Sequence, residues 1–287
     1  MRTALLCALL PACLVAQQPA PRDWQPLLAA AAKPDAAALP GLLRELTALL
    51  GSPDPKLRDD VAYTLLARWI VRDGIVPDEQ LQQLATTCRD NLRQGIGERD
   101  TTTVLRRSFS ALTLSLLLAR DNQQPWLDAD GFAALVDDAL RYLHDERDVR
   151  GFDAQLGWLH SVAHTADVMK FAARSDRLTK PQQAQLLTAI ADKLAAVDVP
   201  LCAGEDERLA RALLALCARD DFDVAAFEKW LTELAGTRYA GTDTEQLARN
   251  ENRKHVLVSL FTLLQLDRRQ SQPLAAARAA LRRALGG

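Results

Sequence analysis

The sequence is poor in the residues that usually announce chemistry. Its 287 residues include five cysteines, four histidines and two methionines. No C-x-x-C pair, G-x-S-x-G elbow, phosphate-binding P-loop or G-x-G-x-x-G turn occurs, which removes the common signatures of thiol redox enzymes, serine hydrolases and nucleotide-binding folds. Aromatic residues make up only 5% of the chain, a weak basis for β-sheet. The formal net charge is −2, without the basic excess that a nucleic-acid-binding face requires. No internal apolar run is long enough to span a bilayer.

Leucine and alanine fill the space left by the aromatics, and both favour helix. Hydrophobic residues make up 48% and charged residues 25%, ordinary values for a globular chain. The N-terminus stands apart. Met1-Arg2, the apolar stretch Thr3 to Leu10 and the following PACLVAQQ have the form of a secretory signal. Two exits from it remain open: cleavage after Ala16, or a lipoprotein signal in which Leu10-Pro11-Ala12 precedes a lipidated Cys13, the one route by which this chain would meet a membrane. Residues 1–16 are then a leader, 17–25 a Gln- and Pro-rich tether, and 26–287 a single helical domain. Export would leave Cys88, Cys202 and Cys217, enough for one disulfide at most. Cys202 and Cys217 flank one expected helix, about 20 Å apart if it is straight. The simpler reading is three small buried hydrophobes.

From Trp24 onward nearly every segment carries apolar residues at helical spacing. Helices are expected at Trp24 to Ala32, Leu39 to Leu50, after Pro55, from Pro77, through Leu105 to Ala119, and after Asp128 or Asp130. Others follow: one running to Ala173, then Pro181 to Val197, Glu205 to Ala218, Val224 to Ala235, Glu245 to Leu266 and Pro273 to Leu285. No hairpin or βαβ pattern stands out. About twelve helices joined by short loops predict an all-α protein, either an α-solenoid-like superhelix of helix pairs or an irregular multi-helix array.

Four clusters carry candidate chemistry. His160, His164 and Asp167 fall within an arc of about 60° on a helix, and two imidazoles with a carboxylate form a donor set for a divalent metal such as zinc or manganese. Ser161 follows His160 where the zinc-protease pattern needs Glu, so that mechanism is not indicated. Asp167 is either a third ligand or an acceptor that holds an imidazole tautomer. Just upstream, Asp148 and Arg150 flank a turn in which Gly151 is expected to adopt a positive φ. Glu205, Asp206 and Arg208 open a later helix, where acidic residues either complement the macrodipole or enter a general acid/base site. Asn252 and His255 share a face within the polar run before VLVSLFTLLQL. The bland alternative is the same throughout: a hydrogen-bonded polar core, capped loops and a solvated helix start. Arg278, Arg282 and Arg283 read as the solvated face of the last helix.

Taken in order, the blocks LRDDVAYTLLARWI, GERDTTTVLRRSFSAL, ERDVRGFDAQLGWLHSVAHTADVM, GEDERLARAL and NRKHVLVSLFTLL resemble a bacterial family catalogued as domain of unknown function 2785. The resemblance falls on Asp148, Arg150, Gly151, Gly157, Trp158, His160, His164, Asp167, Glu205, Arg208, Asn252 and Lys254. Leu159 stands where alanine is more usual, and Thr165 where glycine is. The resemblance implies an all-helical fold and a shared polar groove; it implies no activity.

Two functions are open. In one, His160, His164 and Asp167 hold a divalent ion that polarises water, with Glu205 or Asp206 as base and Asp148, Arg150 and Arg208 around it. In the other, the same residues line a non-catalytic scaffold that binds a peptide or an envelope protein; the ligand itself is a small molecule or a peptide. The leader itself gives the first prediction: intact-mass measurement of native protein finds a chain beginning at Gln17 or at a lipidated Cys13. A full-length unmodified chain from the cytoplasm would sink the export reading.

Overall fold

The computed structural model describes residues 22–29, 32–236 and 243–286. Ala16, Gln17, Cys7 and Cys13, on which the export reading rests, lie outside the described residues. The chain divides into a short N-terminal unit ending at Lys33 and a large unit, Pro34–Gly287. The first contains α1 (Gln25–Leu28), four residues long because Ala29 turns to an extended ψ of 138°. The helix expected over Trp24 to Ala32 is thus cut short.

The large unit is helical almost throughout, and about 70% of the protein is helix. It begins with α2 (Leu39–Leu49). The next helix has a short α-helical middle, α3 (Thr64–Ala67), flanked without a break by π-helical stretches at Lys56–Tyr63 and Arg68–Arg72. Then come α4 (Asp78–Asn91), α5 (Thr103–Gln123) and α6 (Ala129–Asp145). After a small hairpin follow α7 (Ser161–Ala173), α8 (Lys180–Ala196), α9 (Glu205–Cys217), α10 (Val224–Gly236), α11 (Thr244–Leu266) and α12 (Gln272–Gly286). No helix among the described residues is long and apolar enough to cross a membrane.

Alternate helices pack side by side. The π-flanked helix, α5, α7, α9 and α11 form one layer, while α2, α4, α6, α8, α10 and α12 form the other. This stack of helix pairs matches the solenoid-like expectation. The even helix α6 shows how an outer element is specified. Asp128 accepts from Gly131 N at 2.7 Å as N-cap, and Phe132, Leu135, Val136, Ala139, Tyr142 and Leu143 form one buried stripe, as an amphipathic helix requires.

The odd helices are different. α5 and α7 have neighbours on both sides and are buried around most of their circumference. Their polar residues therefore sit inside and must be satisfied internally. Thr113 and Ser115 of α5 donate back to Phe109 O (2.8 Å) and Leu112 O (2.7 Å), and Asn91 donates to Ser110 Oγ (3.0 Å). Ser161, Ala163, Ala166, Ala172 and Ala173 keep α7 narrow enough to fit between α5 and α9.

The most deeply buried ion pair joins α5 to the chain that leaves α6. Arg107 Nε and Nη2 donate to Glu146 Oε2 (2.6 Å) and Oε1 (3.1 Å), with both side chains almost fully excluded from solvent. Arg107 Nη1 also donates to Gln94 O (2.9 Å), and Lys193 Nζ of α8 donates to Glu146 O (2.7 Å). Burial pushes the Lys193 ammonium down to about 8.

Several local expectations are corrected. A two-residue hairpin exists, β1 (Phe152–Asp153) with β2 (Gly157–Trp158), pairing Phe152 with Trp158 and Asp153 with Gly157. It is too short for periodicity to show. Gly157, the first residue of β2, stands at φ +74°, a left-handed conformation that glycine adopts at no steric cost. Gly151 has no positive φ; it is needed for space, because a Cβ there would collide with Ala203 Cβ and Glu205 Oε1. Cys88 and Cys217 are buried free thiols, with burial pushing Cys88 up to about 12, whereas Cys202 is exposed. Arg278 is not simply solvated: it donates to Leu264 O and Asp267 O, both at 2.7 Å, closing the end of α11.

Replacing Arg107 by Leu leaves the Glu146 carboxylate buried and unpaired, which costs about 3–5 kcal/mol. Urea unfolding of R107L should show a loss of that size, and the double variant R107L/E146L should recover part of it. Additive losses in the double variant would mean that the pair is not coupled.

Candidate functional site

The site is built on the segment between α6 and α7. Glu146 Oε1, already held by Arg107, accepts from Asp148 N at 2.9 Å. Asp148 is buried. Its Oδ1 accepts from Arg150 Nε (2.9 Å) and its Oδ2 from Arg150 Nη2 (2.6 Å) and Asp100 N (3.1 Å). Arg150 Nη2 continues to Thr101 O (3.0 Å), and the hydrogen-bonded Asp148 carboxylate raises the Arg150 pKa further. The two residues therefore pair with each other and pin the turn to the start of α5. Ser161 Oγ donates to Asp148 O (2.6 Å), tying the first residue of α7 to the same point.

The hairpin is held from the other side by Arg58, which is fully buried. Its Nη2 donates to Leu156 O (2.7 Å) and Trp158 O (3.3 Å), its Nη1 donates to Ser52 O (2.9 Å), and its guanidinium lies 4.7 Å from the Phe109 ring centroid. On this anchored hairpin the rings of Phe152 and Trp158 meet edge to face at 4.8 Å. Both remain exposed, Trp158 by 46%.

His160 departs from the helical face on which the spacing places it. It is the N-cap of α7, in the left-handed region at φ 52° and ψ 35°, a conformation that costs a non-glycine residue roughly 1–2 kcal/mol. Its carbonyl accepts the first helical bond, from His164 N at 2.8 Å. Its ring packs edge to face on Trp158 at 4.4 Å and lies 5.6 Å from the His164 ring. Its Nε2 is shut off from solvent and has no partner among the described residues.

His164 is buried against Phe109, with ring centroids 4.9 Å apart. Its Nδ1 lies 2.8 Å from Ser108 Oγ, and Ser108 Oγ donates to Leu159 O. Since the hydroxyl has one proton and the carbonyl can only accept, His164 Nδ1 carries the hydrogen and donates to Ser108. Nε2 is then the unprotonated nitrogen of a neutral ring. Burial pushes the His164 pKa well below its ordinary value, with His160 and Arg208 adding to the effect. Burial likewise lowers His160 to about 4, Arg208 acting in the same direction and Asp167 against it.

Asp167 sits on the same α7 face as His164, but its carboxylate is committed elsewhere. Oδ1 accepts from Lys170 Nζ at 2.5 Å and Oδ2 from Arg208 Nη1 of α9. Among the described residues no group of three or more His, Cys, Asp or Glu side chains is arranged to hold a metal ion. As folded, Asp167 bridges two cations where the spacing suggested a third ligand. Arg208 is 40% exposed; among the described residues its Nε and Nη2 have no partner. Tyr63, from the first π-helical stretch, has its hydroxyl pKa raised by burial and by the Asp167 carboxylate.

The remaining candidates make contacts of their own. Glu205 is buried against Gly151; its Oε2 accepts from Ala203 N (2.8 Å), its Oε1 has no partner among the described residues, and burial raises its pKa. It closes the α9 entry onto the Arg150–Gly151 turn. Asp206 accepts from Ser259 Oγ of α11 at 3.0 Å. Asn252 holds Leu201 N and Val199 O, both at 2.8 Å, bracing the loop before α9. Lys254 and His255 are exposed beside Glu251. Sequence reasoning missed Arg58, Ser108 and Lys170; the first two lay within recognisable blocks but had no patterned partner nearby in sequence.

A family model described as "Protein of unknown function (DUF2785)" matches residues 92–262, more than half of the chain. No curated protein and no solved structure matches it.

The depressed histidine pKa makes stability pH-dependent. Unfolded His160 takes up its proton near 6.5, whereas the folded ring stays neutral down to about 4. Its contribution is complete above pH 6.5 and is lost as the pH falls toward 4, by about 3 kcal/mol for this ring. Urea midpoints measured from pH 7 to 4 should fall less steeply in H160N, which retains a residue tolerant of the left-handed conformation. Parallel curves for the two proteins would refute the assignment.

Proposed function

This chain belongs to the family of proteins of unknown function DUF2785, and from that premise we propose that it is a binding protein whose polar residues at the start of α7 take a small molecule or peptide bearing a carboxylate. The observation that carries this reading is the inward, unpartnered Nε2 of a neutral His160 beside an exposed Trp158. A buried polar atom without a partner costs roughly 1–3 kcal/mol, a cost that a ligand atom removes. Arg208 supplies the complementary charge. Asp167 fixes its orientation through Nη1, leaving the rest of the fork free for a second carboxylate, the geometry to which guanidinium is suited.

An acid/base enzyme fits less well. A general base works best with a pKa near the working pH, and a ring titrating at about 4 is too weak a base at neutrality. Of the other candidates, Asp206 is held by Ser259 Oγ and Glu205 Oε2 by Ala203 N.

A second reading keeps one supporting observation. The Ser108 contact leaves His164 Nε2 unprotonated, the form that ligates zinc or manganese. It requires Asp167 to leave Lys170 and Arg208.

Two measurements separate the readings. Short peptides with free C-terminal carboxylates should change the fluorescence that W158F loses, and R208A should weaken that binding by about tenfold or more, the loss of a charge-assisted bond. Protein purified without chelator or a His-tag should carry no stoichiometric metal. Near-stoichiometric zinc or manganese lost in H160A would replace the binding reading with the metal-dependent one.

A further inference from the structure

A concavity lies on the other layer of the stack, between α2 and α4, where it meets the start of α5. It encloses about 640 Å³, within the range of small-molecule pockets. Its apolar surface comes from Pro40, Leu43, Ala48 and Leu84, and its rim from neutral amides and hydroxyls. Arg44 and Arg106 are the only ionised residues that line it; no carboxylate does. Neither arginine makes an ion pair among the described residues, in a protein where most arginines do. Arg106 is also positioned: its side chain lies against Gly51, where a Cβ would come within 3.1 Å of Nε and Nη2. Gln80, on the same wall, has an Oε1 shut off from solvent with no partner among the described residues.

An apolar trough with two uncompensated guanidinium groups and no acid is complementary to a ligand with an apolar body and one anionic head. We propose that the groove between α2 and α4 binds a free straight-chain fatty carboxylate, with its head on Arg106, the arginine held against Gly51, and its chain along Leu43 and Leu84. This site shares no residue with the α7 cleft and does not depend on the function assigned there.

The test is calorimetric titration of the full chain with octanoate, decanoate and dodecanoate below their micelle concentrations. Kd should fall about fourfold for each added methylene. Decanol and decyltrimethylammonium should bind at least about tenfold more weakly than decanoate, since neither can accept charge-assisted bonds from the arginines. The variant R44Q/R106Q should lose the preference for the acid, and Q83W, which fills the groove from an exposed position on α4, should abolish binding. H160N should bind dodecanoate unchanged, which separates this groove from the cleft. Circular dichroism confirms that each variant is folded. The proposal is overturned if folded protein gives no heat with any of the acids, if the cationic amphiphile binds as well as decanoate, if R44Q/R106Q binds the acids as the parent does, or if H160N loses them.

Discussion

The Arg107–Glu146 pair is the contact on which the site depends. A charge pair this deeply buried survives only if nearly every lone pair and proton is engaged. Here the engagement extends outward: Arg107 reaches Gln94 O, Glu146 Oε1 receives Asp148 N, and Glu146 O receives Lys193. Asp148 then fixes Arg150, Asp100 and Ser161. One buried carboxylate thereby sets the exit of α6, the start of α5, the entry to α7 and the packing of α8. The hairpin and His160 take their positions from this chain of contacts.

The two-layer stack explains why so much polarity lies inside. A helix with neighbours on both sides has no solvated face to carry its polar residues, so His164 meets Ser108, Asp167 meets Lys170 and Arg208, and Arg107 meets Glu146 inside the stack. This couples electrostatics to packing. The imidazoles stay neutral because burial outweighs the nearby carboxylate, and that carboxylate is itself balanced by Lys170 and Arg208. Asp167 thus orients Arg208 through Nη1 and leaves the other edge of that guanidinium without a partner among the described residues. In the α2–α4 groove the two arginines have no such counter-charge among the described residues.

Much of this was legible in the residues. Leucine and alanine at helical spacing predicted the helices and their order, because an amphipathic stripe is a local property. Asp148, Arg150, His160, His164, Asp167 and Arg208 stood out in the sequence by residue type and spacing. Their partners did not, because pairing across helices leaves no trace in spacing. Arg58 contacts Trp158 O a hundred residues away, and Ser108 contacts His164 across 56. Gly151 was read as a conformational glycine when its role is steric, a distinction that depends on Ala203 and Glu205 arriving from another element.

The sequence by itself determined an all-helical chain, a polar segment from Asp148 to Asp167 at its centre, and a low count of residues for redox or thiol chemistry. Those follow from periodicity and composition, which act within a helix or a loop. Tertiary structure alone decided which groups are neutral, which carboxylates are free and which cations remain unpaired. Asp167 looks like a ligand in the sequence and becomes a bridge between Lys170 and Arg208 in the fold, because α9 brings Arg208 to the face of α7 from 41 residues away. Burial and cross-helix pairing set the chemistry of a side chain, and neither exists until the helices are stacked.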